Sequence, residues 1–253
     1  MDLTTCVTLA LGFAIVAGLY SSVGHAGASG YLALMALFSV APEVMRPTAL
    51  VLNVVVAGLG TWRFARTGLT SWRALVPLVA ASVPMAFIGG ATQLSLPGYR
   101  KLVALVLLAS ACVLAWRAWR NVVLASTSPE PPVHIPWPVA AGLGASIGLL
   151  SGLTGTGGGL FLSPLLLLGG WAGPRRTAGL AVPFILLNSM AGLAGLGWAQ
   201  VHLPAAWPWF VLAVLAGGVV GTRLGTGRLP ARALIALLAV VLLVASMKLL
   251  ATS

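Results

Sequence analysis

Two short stretches hold most of the hydroxyl, imidazole and glycine groups that could bind a small charged solute. Residues 18–32 read G-L-Y-S-S-V-G-H-A-G-A-S-G-Y-L, and residues 148–162 read G-L-L-S-G-L-T-G-T-G-G-G-L-F-L. Each glycine costs about 1 kcal/mol in a helix interior relative to alanine, so both stretches are predicted to interrupt helices. A helix break leaves backbone N–H groups unpaired, and such groups together with hydroxyls bind anions.

The two stretches predict one anion site. Its candidate residues in the first stretch are Ser21, Ser22, Gly24, His25, Gly27 and Ser29, and in the second Ser151, Thr154, Gly155, Thr156, Gly157, Gly158 and Gly159. Asn53 and Asn188, in later apolar segments, are further candidates that could line the path. Each group has a packing alternative: glycines serve close helix contacts, an asparagine bridges two helices, and His25 bonds a backbone carbonyl.

The composition places these stretches in a membrane protein. The chain has 253 residues, of which 59% are hydrophobic and 7% charged, whereas a soluble domain carries about 25% charged residues. Apolar runs close to the roughly 20 residues that a bilayer crossing needs recur along the chain: they lie at 49–64, 75–94, 102–115, 182–197, 207–220 and 234–250. We therefore predict an all-α polytopic protein of the cytoplasmic (inner) membrane.

The charged residues narrow the function further. The net charge of +11 comes from basic residues that lie one to three at a time at the ends of apolar runs. There they anchor and orient helices, Arg46 and Arg176 among them, so the charge does not indicate nucleic acid. The acidic residues Asp2, Glu43 and Glu130 all lie outside the apolar runs, which argues against a cation pump or a carboxylate proton relay. No metal site and no cofactor are predicted, and no nucleotide-binding loop occurs.

An internal repeat relates the two glycine-rich stretches. Residue n matches residue n + 130 at Gly18, Leu19, Ser21, Gly27 and Leu32, and the agreement continues at Arg46 with Arg176. The polar segment 121–138 is the predicted linker between a first repeat, 1–120, and a second repeat, 139–253.

These motifs resemble the TauE/SafE family of sulfite and organosulfonate exporters. The resemblance rests on S-S-V-G-H-A-G-A-S-G-Y in the first half, and on S-G-L-T-G-T-G-G-G-L-F-L-S-P and F-I-L-L-N-S in the second. The first repeat departs from the glycine pattern, because Ala28 and Ser29 replace two glycines and His25 stands where the second half has Gly155. The resemblance implies a transporter whose substrate is a sulfur oxyanion or an organosulfonate.

Segment lengths and charges together suggest how the repeats cross the membrane. In the first half the segments Cys6–Ser21 and 31–40 are both short for a membrane core of about 30 Å, and in the second half so are Val139–Leu150 and 160–168. The two segments of each half are therefore predicted to form a re-entrant hairpin, which three transmembrane helices follow. This arrangement places 10 basic residues on one side and 4 on the other, against 6 and 8 for single tilted spans. By the positive-inside rule the ten-residue face is cytoplasmic, both termini are outside, and the halves are inverted repeats.

Three functions fit these features to different degrees. A secondary transporter of a small anion, alternating access around a midplane site, accounts for the duplicated breaks. An anion channel would share the site chemistry and lack the gates. A membrane-embedded enzyme is the weakest reading, because the serines near His25 lack an acidic partner. The expected partners are the anion and the lipid bilayer, and the sequence leaves a homodimer open.

Overall fold

The computed structural model describes residues 2–22, 24–119, 133–197, 200–224 and 231–252. Within these ranges the chain forms ten α-helices and no strand, which confirms the all-α prediction. The helices are α1 (Leu3–Ser22), α2 (Ala28–Leu37), α3 (Pro42–Arg66), α4 (Trp72–Ala91), α5 (Leu96–Trp119), α6 (Trp137–Thr154), α7 (Gly159–Leu168), α8 (Pro174–Leu196), α9 (Trp207–Leu224) and α10 (Ala231–Ala251).

Six of the described helices are long and apolar enough to cross a membrane: α1, α3, α4, α5, α6 and α8. Their outer surfaces carry large apolar side chains that no helix covers, as Leu11 and Ile15 on α1 and Val76 and Phe87 on α4 illustrate. Surfaces of this kind are stable against lipid and not against water. The prediction of a polytopic membrane protein is confirmed.

The helices form two sets of five in the same order, a long helix and a short helix followed by three more. The helices α1 to α5 have 20, 10, 25, 20 and 24 residues, and α6 to α10 have 18, 10, 23, 18 and 21. The limits of the two repeats stay a prediction. Most of the predicted linker, residues 121–132, lies outside the described residues, and Trp137 and Pro138 belong to α6.

The first helix of each pair is longer than the sequence predicted. Helix α1 extends over Leu3–Ser22 rather than Cys6–Ser21, and α6 over Trp137–Thr154 rather than Val139–Leu150. The helix α6 continues through Ser151 and Gly152 because its last turns pack closely on α4, where a Cβ at Gly152 would lie 2.1 Å from the carbonyl oxygen of Ala86. With 1.5 Å of rise per residue, α1 and α6 are about 30 and 27 Å long, whereas α2 and α7 reach only about 15 Å.

The short helix of the first pair folds back along the long one. A Cβ at Gly30 would lie 2.5 Å from Val16 Cγ1, and a Cβ at Gly12 would lie 2.8 Å from Leu34 Cδ1. Residues further along α2 therefore contact residues nearer the start of α1, so the two helices are antiparallel. In the second pair the break likewise packs against α6, since a Cβ at Gly158 would lie 2.6 Å from Ile147 Cγ2.

Each hairpin packs against a helix of the other half. Helix α1 runs parallel to α9, with Gly217 against Ala14 and Gly221 against Gly18, and α6 runs parallel to α4 in the same manner. Helices α3 and α8 cross antiparallel between the hairpins, where Asn53 meets Ser189. This arrangement places both breaks beside the central pair α3 and α8.

The two ends of the bundle carry different basic residues. One end of the bundle contains the end of α3 and the starts of α4 and α8. The tip of the first hairpin lies at this end too, because a Cβ at Gly24 would contact both Phe64 and Ala178. The other end holds the start of α3 and α5 and the ends of α4 and α6, tied together by bonds from Arg46 and Tyr99. Among the basic residues whose side chains the structure describes, Arg63, Arg66, Arg73, Arg175 and Arg176 lie at the first end, and Arg46, Arg100, Lys101 and Lys248 lie at the second.

A candidate anion site at two helix breaks

Left-handed glycines form both breaks. Gly155, Gly157 and Gly158 have φ of 85°, 73° and 78°, and Gly24 and Gly27 have φ of 76° and 103°. A residue with a Cβ adopts this region at a cost of about 1–2 kcal/mol, so glycine is the residue that lets the chain reverse here without strain. No side chain caps the start of α2 or α7, where Gly27 and Gly158 occupy the N-cap positions.

Five successive backbone N–H groups in each break have no hydrogen-bond partner among the described residues. They belong to residues 26–30 in the first break and 156–160 in the second, which are repeat mates. All ten residues are buried. Unpaired buried N–H groups are rare in folded proteins, and each is expected to be paired with water or a bound solute.

The hydroxyl groups of the breaks differ in whether their proton is already used. Thr154 donates to the Leu150 carbonyl at 2.6 Å and therefore accepts from Thr156, whose oxygen lies 3.0 Å away. Ser22 donates to the Leu19 carbonyl, and Ser29 shares a 2.8 Å bond with Tyr20. The hydroxyls of the four predicted residues Ser22, Ser29, Thr154 and Thr156 are thus engaged within the protein.

The two serines that are repeat mates remain available. Ser151 is fully buried, and its hydroxyl has no hydrogen-bond partner among the residues that the structure describes. Ser21 is 8% exposed and forms no hydrogen bond through its side chain with a described residue. Ser151 also lies beside the second break, where a Cβ at Gly158 would be 3.5 Å from its Cβ. Each break therefore has one uncommitted hydroxyl donor at the corresponding position.

The second break lies against the middle of α3 and α8. A Cβ at Gly157 would be 2.6 Å from Asn53 Nδ2 and 3.1 Å from Ser189 Oγ. The amide of Asn53 forms only a long bond of 3.4 Å to Ser189 and leaves its oxygen unpaired, so its donor is weakly held. Asn188 differs, because its amide donates to the Phe184 carbonyl at 2.8 Å, while its oxygen, like that of Asn53, has no partner among the described residues. One of the two N–H groups of Asn188 is thus used within α8.

A hydrogen bond from His25 joins the first break to the second hairpin. His25 Nε2 lies 2.9 Å from the hydroxyl of Ser163 on α7, and that hydroxyl donates to the Gly159 carbonyl at 3.0 Å. A serine hydroxyl has one proton, so His25 Nε2 donates to Ser163 when that proton points to the Gly159 carbonyl and accepts from Ser163 when it does not. His25 is 4% exposed and Ser163 is fully buried. His25 therefore bonds a side chain of the other hairpin, and its role in anion binding stays a prediction.

Arg46 differs from the interfacial anchor that the sequence predicted. Arg46 is 7% exposed, and its guanidinium donates to the carbonyls of Gly152, Thr92, Gly89 and Gly90 at the ends of α6 and α4. It therefore does not behave as a lipid-facing anchor. Tyr99 donates to the Thr154 carbonyl at 3.3 Å in the same region. Neither residue has a local sequence signal for this role, because the carbonyls come from helices that lie more than 40 residues away along the chain.

Other contacts of the site were also missed. Ser189 and Tyr20 bond predicted residues, but both lie in apolar helices and look like packing residues in sequence. Ser163 had a weak signal, since it belongs to the S-P pair that closes the quoted second motif.

Comparison with known proteins agrees with this architecture. The profile of the family described as "Sulfite exporter TauE/SafE" matches residues 9–249. A protein of Sinorhizobium fredii named "Probable membrane transporter protein y4hK" is 40% identical over 248 residues, which cover 98% of this chain and 99% of that protein. No solved structure gave a significant match. The chain is therefore an integral membrane transporter that belongs to the sulfite exporter TauE/SafE family.

Proposed function

We propose that this protein is a secondary transporter that moves a small anion, a sulfur oxyanion or organosulfonate, across the cytoplasmic membrane. The observation that carries the proposal is the pair of buried breaks, each with five successive backbone N–H groups that have no partner in the part of the chain that the structure describes. Such groups cluster at anion sites, and two sets related by the repeat would surround one solute from opposite sides.

The donors of the site suit an anion held without a full opposite charge. The N-termini of α2 and α7 add the positive ends of two helix dipoles to the N–H groups of residues 26–30 and 156–160. Ser21 and Ser151 supply hydroxyls, and Asn53 an amide. Asn188 is a weaker candidate than Asn53, because one of its two amide N–H groups is held in a 2.8 Å bond to the Phe184 carbonyl. No carboxylate is required, which fits a chain with three acidic residues.

The packing of the halves supports a site near the membrane midplane and an alternating-access mechanism. Gly157 contacts Asn53, which lies close to the centre of the 25-residue helix α3. The corresponding helices α3 and α8 cross antiparallel, as inverted repeats require. In transporters built from such repeats, one hairpin or bundle rocks against the other around a fixed site. The His25–Ser163 bond joins the two hairpins, so we propose that it forms and breaks during this motion.

Flux measurements separate this proposal from an anion channel. In proteoliposomes with an inside-positive or inside-negative potential and a pH gradient, a transporter gives saturable uptake of radiolabelled sulfite against its own gradient. A channel gives flux that follows the electrochemical gradient alone and does not concentrate the anion. Dissipative flux that does not saturate would overturn the transporter proposal.

The substrate class is tested by binding. Thermal stability of the detergent-solubilised protein, measured with sulfite, thiosulfate, sulfate, sulfoacetate and taurine, ranks the anions directly. A ligand at 100 times its Kd stabilises the folded state by about 2.7 kcal/mol, which gives a readily measured rise in Tm. If an unrelated anion stabilises the protein and none of the sulfur anions does, the substrate assignment is wrong, while the proposal of an anion site still stands.

A further inference from the structure

A cavity of about 350 Å³ lies at the end of the bundle where α3 begins and α4 ends. Its lining includes Glu43, Arg46, Gln93, Tyr99, Leu196 and Gln200. The two glutamines supply amide donors, and Leu196 and neighbouring leucines supply an apolar wall. This mixture of a few polar groups in an apolar concave surface is typical of small-molecule sites.

Arg46 gives this cavity a buried positive charge. Its guanidinium has five N–H groups, and four hydrogen bonds join it to carbonyl oxygens of the described residues. The C-termini of α4 and α6, which supply those carbonyls, offset part of the charge through their dipoles. These bonds alone would serve to hold the two helix ends together. They leave one N–H on Nη1 for a ligand, and the guanidinium acts in a cavity whose lining also includes the carboxylate of Glu43.

The cavity is separated from the second glycine break by very little protein. A Cβ at Gly155 would lie 3.1 Å from the Arg46 carbonyl oxygen and 3.4 Å from Arg46 Cγ. Arg46 and Tyr99, which line the cavity, donate to the carbonyls of Gly152 and Thr154 in the last turn before that break. A solute that enters the break from this end must therefore pass these two side chains.

We propose that this cavity is a second anion-binding site, from which a small oxyanion passes to the glycine break, with Arg46 as its charge. The Arg46–Gly152 and Tyr99–Thr154 bonds close the passage in this structure. The proposal rests on the proposed function, because the break is the anion's next position. The second site goes beyond the proposed function because it is a separate cavity with its own lining residues.

Cysteine modification tests the electrostatics of the cavity. In a background where Cys6 and Cys112 are replaced by serine, the reporter is Gln93→Cys and the matched control is Ser95→Cys, an exposed position on the same loop that does not line the cavity. Each variant is treated in detergent with an anionic sulfonatoethyl and a cationic trimethylammonium methanethiosulfonate reagent. A charge a few ångströms from the reporter should raise the anionic-to-cationic rate ratio at residue 93 several-fold over that at residue 95.

Protection by an inert anion provides the second measurement. Methanesulfonate, which does not react with the reagents, should slow modification at residue 93 in a saturable way and leave residue 95 unaffected. The substitution Arg46→Gln should abolish both the ratio and the protection. If Arg46→Gln does not fold, two measurements still test the proposal. They are the rate ratio in Arg46→Lys, which keeps the charge, and the protection of residue 93 when Arg46 is unchanged. Equal ratios at residues 93 and 95 without protection would overturn the proposal.

The outcome is distinguishable from failure of the proposed function. If methanesulfonate protects residue 93 while proteoliposomes show no saturable anion flux, the cavity is an anion site and the transporter proposal falls. If saturable flux is present and residue 93 is never protected, the break functions without this cavity and the second site falls. Protection together with flux that is lost in Arg46→Gln supports both.

Discussion

The glycine at position 157 allows the sharpest test of the anion site, because the chain contains a matched control. Gly157→Ala and Gly170→Ala both place an alanine in the left-handed region, with φ of 73° and 66°. At Gly170 nothing lies within 4 Å of the added Cβ, whereas at Gly157 it would lie 2.6 Å from Asn53 Nδ2 and 2.7 Å from Ile185 Cγ2. The two variants therefore share the backbone strain and differ in what the methyl group meets.

The expected magnitudes follow from this difference. Both variants should lose about 1–2 kcal/mol of stability from the left-handed backbone. Gly157→Ala should in addition displace Asn53 and cover the approach to the N–H groups of the break. Hydrogen bonds to a charged group contribute about 1.5–3 kcal/mol each, so the loss of one or two weakens anion binding roughly 10- to 1,000-fold or more.

The assay is titration calorimetry with sulfite, or with the best anion of the thermal-shift panel, on folded and monodisperse detergent-solubilised protein. Gly170→Ala should bind within about twofold of the unaltered chain, since its position lies outside both breaks. If Gly157→Ala binds as tightly as Gly170→Ala, the glycines serve packing alone and the anion site lies elsewhere.

Three further predictions address the hairpin contact, the topology and the packing. His25→Ala should abolish transport while lowering the free energy of unfolding by only about 1–2 kcal/mol. His25→Gln should keep a donor to Ser163 but lose any pH dependence of uptake between about pH 5 and 8. Full activity with an unchanged pH profile in both variants would restrict His25 to packing. A cysteine at Thr4 should react with an impermeant reagent in intact cells and one at Thr67, beside Arg63 and Arg66, should not, and the reverse pattern would refute the assigned orientation. Gly152→Ala should destabilise the protein strongly because its Cβ would lie 2.1 Å from the Ala86 carbonyl oxygen, whereas Gly142→Ala, with open space around it, should be neutral in a thermal-stability assay.

The sequence predicted the elements of the fold well, because membrane insertion makes local pattern informative. Apolar runs and their glycine interruptions predicted a broken helix pair followed by three helices in each half, and the structure contains that order twice. The lengths of α1 and α6 were underestimated. Small and hydroxyl residues before each break look unfavourable for a helix, yet contacts such as Gly148 and Gly152 on the α4 backbone stabilise those turns. Such contacts depend on tertiary packing, which a single sequence does not express.

The site was predictable in composition and less so in its bonding. Glycine spacing identified the breaks, and the repeat identified Ser21 with Ser151, the serines whose hydroxyls are uncommitted. Residue type alone did not reveal that the hydroxyls of Thr154, Thr156, Ser22 and Ser29 form hydrogen bonds within the protein. The Arg46 bonds were unpredictable for a different reason. Basic residues near the end of an apolar run usually anchor a helix at the membrane–water interface. Only the packing of α4 and α6 in the folded protein brings carbonyl groups to the guanidinium of Arg46.

The proposed anion site needs no fixed charge, because the breaks themselves supply hydrogen-bond donors. A buried N–H group without a partner costs about 1–3 kcal/mol, so ten of them in a dry protein would exceed the stability of an ordinary domain. The tight glycine contacts of α1 with α9 and of α4 with α6 hold the hairpins in place nonetheless. Water or a bound solute is expected to occupy the breaks, and under the proposed function an anion, which accepts several N–H bonds at once, would relieve most of this cost. The N–H groups would then supply the driving force for anion binding, and the packing on the opposite half would hold the breaks in the conformation that leaves these donors without carbonyl partners.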